Sequence, residues 1–130
     1  MNAFELKVPT ALAEVLEILA EHGEDAKLIA GGTGLINLMK QHLAQPELLV
    51  SLHALTGLSG VRLVGDALEI GALTTLASLE RDALIRTHFP MLIGCLAEVA
   101  SPRVRAMATL GGAVAHGDPH QEDRKSTRLN

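Results

Sequence analysis

The residues best placed to do chemistry lie in two glycine-rich stretches, Ala30-Gly31-Gly32-Thr33-Gly34 and Thr109-Leu110-Gly111-Gly112. A strand that runs into glycines and then into a helix leaves backbone N–H groups without partners at the helix start, near the positive end of its dipole, and such a place binds phosphate. Glycine there lets a ligand oxygen approach the backbone without meeting a Cβ. The first stretch is not a Walker A loop, since no Gly-Lys-Ser/Thr follows, and it does not match G-x-G-x-x-G. Taken alone it is also what a tight strand-to-helix connection looks like. The second stretch again joins a hydroxyl to adjacent glycines, and two sources of amide donors suit the two phosphates of a pyrophosphate. That points to a dinucleotide, bound without any need for Lys or Arg.

The remaining inventory is thin. No Ser/His/Asp elbow, no pair of carboxylates at suggestive spacing and no Cys/His pair is present, so no catalytic residue is assigned and any chemistry belongs to a cofactor. In His116-Gly117-Asp118-Pro119-His120, Gly117 and Pro119 break the helix that would set both histidines on one face. This cluster therefore reads as a turn bonding a cofactor or the backbone, and no metal is expected. His22, His42, His53 and His88 are scattered and read as solvated or capping, and Lys40 as a helix-terminal cation. The single Cys95, in the apolar run MLIGCLAEVA, reads as a small buried thiol.

The elements that must position the loops can be read from periodicity. Phe4 to Val8 alternates apolar and charged residues, as a half-buried strand does, and Pro9 ends it. Leu12, Val15, Leu16 and Leu19 predict an amphipathic helix, opened by Thr10 as N-cap and closed by Gly23. A short strand from Lys27 to Ala30, a helix from Gly34 and a buried strand over Leu48 to Leu52 complete a β-α-β-α-β alternation. In VRLVGDALEIG, a two-residue turn with Gly65 at its first central position sets Leu63 opposite Leu68, Val61 opposite Ile70 and Arg62 opposite Glu69. Thr75 to about Ala100 predicts two helices broken at Phe89-Pro90, followed by a second glycine-rich turn and a short apolar segment.

With 130 residues, 48% of them hydrophobic, the chain can build one compact core. A net charge of −4 with charges interspersed, and two Phe as the only aromatics, argue against nucleic-acid binding. No apolar segment is long enough to span a bilayer and the N-terminus lacks a signal-peptide core, so a cytoplasmic setting is expected.

Together the two loops resemble a known pair. AGGTGLINLMK is similar to the first flavin-binding motif, and SPRVRAMATLGGAVAHGDP to the second, of the FAD-binding domain of molybdenum hydroxylases. That is the family of carbon monoxide dehydrogenase medium subunits and xanthine dehydrogenase FAD-binding subunits. The likeness covers about residues 1–121. It implies an α/β (α+β) chain with the two-subdomain FAD-binding fold of the vanillyl-alcohol-oxidase (PCMH) type, incomplete: residues 1–56 as the first subdomain and 57–121 as part of the second.

By the same resemblance, Ala30, Gly31, Gly32, Thr33 and Gly34, with Thr109, Leu110, Gly111 and Gly112, would bind the FAD pyrophosphate, the two threonines adding hydroxyls. Ala113, Val114, His116 and Asp118 would lie along the cofactor. The implied role is electron relay from a 2Fe-2S small subunit, itself fed by a molybdopterin large subunit, through FAD to an acceptor. A stand-alone FAD oxidoreductase of the same superfold and a non-catalytic α/β interaction module are the alternatives.

Family members often read R-N-x-G-T-I-G-G where this chain has Ala106 for Asn and Ala108 for Gly, which implies a somewhat looser loop. The likeness fades at Glu122, and DRKSTRLN resembles translated adapter sequence. Residues 122–130 are therefore expected to be a disordered, non-native tail, and the chain a fragment that is inactive alone and binds flavin weakly or not at all.

Overall fold

A computed structural model describes residues 3–99 and 101–116 of the 130. The chain divides into two compact units, Met1–Gly57 and Leu58–Asn130.

In the first unit, β1 (Glu5–Lys7), β2 (Ala26–Ile29) and β3 (Leu48–Ser51) form a parallel sheet in the order β1-β3-β2. Leu48, Leu49, Val50 and Ser51 are all buried, as an unbroken apolar strand in the centre of a parallel sheet must be. Expected as half-buried, β1 instead exposes Phe4, Leu6 and Val8. It is an edge strand, and α1 (Leu12–His22) packs chiefly on β2.

That packing also shifts the apolar stripe of α1. Val15 and Ile18 are buried, while Leu12 and Leu16 are exposed. The N-cap is Ala11, with no side-chain cap bond, rather than Thr10; Gly23 closes the helix by donating its N–H to the Leu19 carbonyl. α2 (Leu35–Lys40) ends at Lys40, which is thus a helix-terminal cation, and its terminator is histidine. His42 takes φ +57°, its N–H donates to Met39 O, and the Leu43 N–H donates to Leu38 O, which together make a Schellman motif.

The second unit opens with the hairpin β4 (Val61–Val64) and β5 (Ala67–Ile70), in the expected register. Gly65 has φ +59° and Asp66 does not have a positive φ, which suits a turn with glycine first. Where two helices are expected, three form: α3 (Leu76–Arg81), α4 (Ala83–His88) and α5 (Pro90–Ala97). The extra break comes from Asp82, whose carboxylate accepts the Leu84 and Ile85 N–H groups at 2.9 and 3.2 Å and so starts a new helix. Pro90 sits in the first turn of α5. Leu76, Leu79, Ile85 and Leu96 make the core, with Val61, Leu68 and Ile70 of the hairpin packed against it.

α6 (Pro102–Met107) is capped by Ser101, whose Oγ accepts the Val104 N–H at 3.2 Å. The second glycine-rich stretch, expected as a turn, is instead the first part of a helix, α7 (Leu110–His116). Glycine is a poor helix former, so this segment owes its shape to long-range bonds described below. Residues 122–130, with Asp118 and His120, lie outside the described residues.

Candidate functional site

The first glycine loop leaves the carboxyl end of β2, where ligands of open parallel α/β sheets bind. Ile29 is held in the sheet by pairing with Ser51, and its carbonyl accepts the Leu52 N–H at 3.0 Å. From there Ala30 to Gly34 are all half-buried. Gly32 has φ +79°, and a Cβ on it would lie 3.2 Å from Ile29 Cδ1, so conformation and space both call for glycine. The carbonyls of Gly32 and Gly34 accept the N–H groups of Ile36 and Leu38, at 3.0 and 3.2 Å, which starts α2.

The donors are a different matter. The N–H groups of Gly31, Gly32, Thr33, Gly34 and Leu35 have no acceptor among the described residues, and neither does the Thr33 hydroxyl. A half-buried row of unpartnered amides is unusual, because such groups are nearly always paired with protein, water or ligand. Beside the loop, Ser51 Oγ lies 2.7 Å from His53 Nδ1, so His53, expected to be solvated or capping, has a partner at the end of β3.

The second loop is bonded in the opposite sense. Leu110 N–H donates to Thr74 O at 2.9 Å and Gly111 N–H to Ala72 O at 2.8 Å. Gly112 N–H donates to Thr109 Oγ1 and Ala113 N–H to Thr109 O, both at 3.0 Å. Thr109 and Thr75 form an antiparallel bridge, flanked by the bond from Leu76 N–H to Ala108 O at 2.9 Å. The four N–H groups from Leu110 to Ala113 thus donate within the protein. Thr109 N–H has no acceptor among the described residues.

A Cβ on Gly111 would lie 2.8 Å from both the carbonyl oxygen and the Cβ of Ala72. On Gly112, among the described residues, it would meet Thr109 Oγ1, at 2.9 Å. The Leu110 side chain packs against the core, Ala113 is half-buried, Val114 is exposed and His116 ends α7. Ala108, where the resemblance implies glycine, takes φ −65° and ψ 138°, an ordinary extended conformation, so its side chain does not loosen the loop.

Two supports were not read from the sequence. Arg105 Nε donates to Glu80 Oε1 at 2.6 Å and its Nη1 to Val99 O at 3.0 Å, with the two side chains only 12% and 22% exposed, tying α6 to α3. The segment Ala72 to Thr75 supplies the ladder for the second loop. Neither has a local signature, since the Glu80 carboxylate and residues 72–75 lie far along the chain from Arg105 and Thr109. Cys95 is half-buried in α5. Among the described residues, no three His, Cys, Asp or Glu side chains come together as a metal site, and no helix is long and apolar enough to cross a membrane.

A parallel sheet with a glycine loop of free amides at a strand's carboxyl end defines an α/β nucleotide-binding protein. The matching family model is the FAD binding domain in molybdopterin dehydrogenase, over residues 2–124, and the chain belongs to that family. It is 37% identical over 116 residues to the carbon monoxide dehydrogenase medium chain of Hydrogenophaga pseudoflava, covering 89% of this chain and 40% of that one. It is 35% identical over 107 residues to the xanthine dehydrogenase FAD-binding subunit of Escherichia coli O157:H7, covering 82% of this chain and 36% of that one.

The solved carbon monoxide dehydrogenase from Hydrogenophaga pseudoflava that lacks the Mo-pyranopterin moiety superposes with a TM-score of 0.88, at 37% identity. The match covers 91% of this chain and 41% of that one. The fold is accordingly the FAD-binding fold of the PCMH type, FAD is the family's cofactor, and the chain is similar to oxidoreductase components. It spans about 40% of the length of the first relative. The amide row at Gly31 to Leu35 fits a group that presents phosphate oxygens, since those donors are half-buried and otherwise unused.

Proposed function

We propose that this chain is the FAD-binding part of an electron-transfer subunit of a molybdenum hydroxylase. In the intact complex it takes electrons from a 2Fe-2S small subunit, supplied by a molybdopterin large subunit, and passes them through FAD to an acceptor in the cytoplasm. Residues 1–56 are the first FAD-binding subdomain, 57–121 part of the second, and 122–130 a non-native tail. The observation that carries this reading is the row of unpartnered N–H groups from Gly31 to Leu35, in a family whose cofactor carries a pyrophosphate.

The roles divide by chemistry. Gly31 to Gly34 and Leu35 donate backbone hydrogens to phosphate oxygens, Thr33 adds its hydroxyl, and Ala30 sets the loop's departure from β2. Thr109 contributes its own N–H and its hydroxyl proton, the oxygen being already used to accept from Gly112. Leu110, Gly111 and Gly112 keep side-chain bulk away from the cofactor, and Ala113, Val114, His116 and Asp118 lie along it. FAD supplies the redox chemistry; the protein binds and orients it.

The test is titration of the chain with FAD and with riboflavin, followed by flavin fluorescence. If the amides hold the pyrophosphate, FAD binds at least about tenfold more tightly than riboflavin, a preference equivalent to about 1.4 kcal/mol. Gly32→Val abolishes that preference. Equal binding of the two flavins, or binding of neither, would overturn the reading.

A further inference from the structure

We infer that Thr74 is a positioning residue of the flavin site, acting through the Thr109–Gly112 loop. This rests on the flavin reading above. Thr74 is 2% exposed and bonded in three directions. Its N–H donates to Gly71 O at 3.0 Å. Its Oγ1 accepts the Gly60 N–H at 2.9 Å and donates to Gly60 O at 3.4 Å, pinning the entry to the β4–β5 hairpin. Its carbonyl accepts the Leu110 N–H at 2.9 Å, the first backbone donor of α7.

Every other link in the ladder that carries the second loop is backbone to backbone: Ala72 O with Gly111 N–H, Thr74 O with Leu110 N–H, and Leu76 N–H with Ala108 O. Residues 72–76 are also held by the buried Leu76 side chain and by the bond from Leu73 N–H to Leu58 O at 2.8 Å. The Thr74 hydroxyl adds a side-chain anchor to these, bonding both polar groups of Gly60, whose N–H has that hydroxyl as its acceptor. The neighbouring Gly71 N–H donates to Gly60 O at 2.9 Å, and a Cβ on Gly71 would collide with Leu58 O, so residues 58–60 and 71–74 are pressed together. Removing the hydroxyl takes away the acceptor of the Gly60 N–H and loosens the 72–76 strip, and any shift is passed to Thr109 through three bonds rather than one.

The experiment compares the parent chain with Thr74→Val, nearly isosteric but without the hydroxyl, and Thr74→Ser, which keeps it. FAD dissociation constants are measured well below each variant's Tm. The expected result is FAD binding about tenfold weaker in Thr74→Val and within about twofold of the parent in Thr74→Ser. A Thr74→Val protein that melts earlier yet binds FAD as the parent does would make Thr74 merely structural and overturn the inference while leaving the flavin reading intact. Failure of the parent itself to bind FAD would overturn both.

Amide hydrogen exchange on the FAD-free parent decides the matter even where Thr74→Val does not fold. Leu110 and Gly111 should be protected at least about tenfold more than Gly31 to Leu35. Equal exchange at the two places would mean that the ladder does not hold the loop, and the inference would fall.

Discussion

The two glycine loops have nearly the same composition, a threonine beside adjacent glycines at the start of a short helix, and opposite hydrogen-bonding states. At Gly31 to Leu35 five consecutive N–H groups have no acceptor among the described residues; at Leu110 to Ala113 four consecutive N–H groups are all satisfied within the protein. The cause is topological. The first loop leaves a parallel sheet at a strand end, and among the described residues nothing accepts its donors. The second runs antiparallel to Ala72–Leu76, locked by the Thr75–Thr109 bridge, so its donors are used before any ligand arrives. Glycine thus marks close approach to the backbone without saying what approaches. In one loop the neighbour is the Ala72 carbonyl, and in the other we propose a phosphate.

This contrast is broken most directly at Gly111. In Gly111→Val the new side chain meets a backbone carbonyl that cannot rotate away, 2.8 Å from its Cβ. The expected loss is about 3 kcal/mol of stability, the upper end for overpacking, seen as a fall in Tm on the order of 10 °C by circular dichroism. A variant as stable as the parent would mean that the second loop is not pressed against Ala72.

Gly32→Ala comes next. A φ of +79° costs an L-residue about 1–2 kcal/mol, and the added Cβ meets side-chain atoms, Ile29 Cδ1 at 3.2 Å and Ile36 Cγ1 at 3.4 Å, rather than backbone, so stability drops less than at Gly111. FAD affinity drops more, because relieving the strained φ turns the free N–H groups of the loop away from their present directions. Tm and FAD titration on the same two variants should therefore rank them in opposite orders. The same ranking in both measurements would erase the distinction between the loops.

How much of this was legible depends on how local each determinant is. The hairpin register followed from Gly65-Asp66 alone, because a two-residue turn dictates the pairing of both strands. The central strand and the Pro90 helix start were equally local. The apolar face of α1 was not. Leu12 and Leu16 share its helical stripe, yet packing on β2 buries Val15 and Ile18, and only the tertiary neighbour decides that.

The break at Asp82 did have a signal, an N-capping residue ahead of Ala-Leu-Ile-Arg, but it was hidden inside a continuous helical period. For the site, the first loop's strand-loop-helix context is contiguous in sequence and was readable. Gly112 and Ala113 donate to Thr109 within the motif, but Leu110 and Gly111 donate to Thr74 and Ala72 across a long stretch of chain, so the sequence could offer the glycines but not those two distant partners.

A matched pair of threonine substitutions sharpens the comparison further. Thr109→Val removes the oxygen that accepts the Gly112 N–H at 3.0 Å, an N-cap-like bond in a residue only 7% exposed. A loss of about 1 kcal/mol is expected in chemical denaturation. An unchanged denaturation midpoint would mean that the cap contributes nothing to α7.

The same change in the first loop should do much less to the fold. The Thr33 hydroxyl bonds no described residue and the side chain is half-buried, so Thr33→Val removes no acceptor on which the protein relies. Stability should stay within about 0.5 kcal/mol of the parent. Its consequence appears only with cofactor present. Losing one neutral hydroxyl donor to a phosphate oxygen should weaken FAD binding by a few fold, about 1 kcal/mol, and leave riboflavin binding unchanged. Riboflavin is the control because it lacks the phosphates. A Thr33→Val protein that loses stability to the same extent as Thr109→Val, or loses affinity for both flavins alike, would place Thr33 in the scaffold rather than against the pyrophosphate, and the two loops would then differ only in which protein atoms they touch.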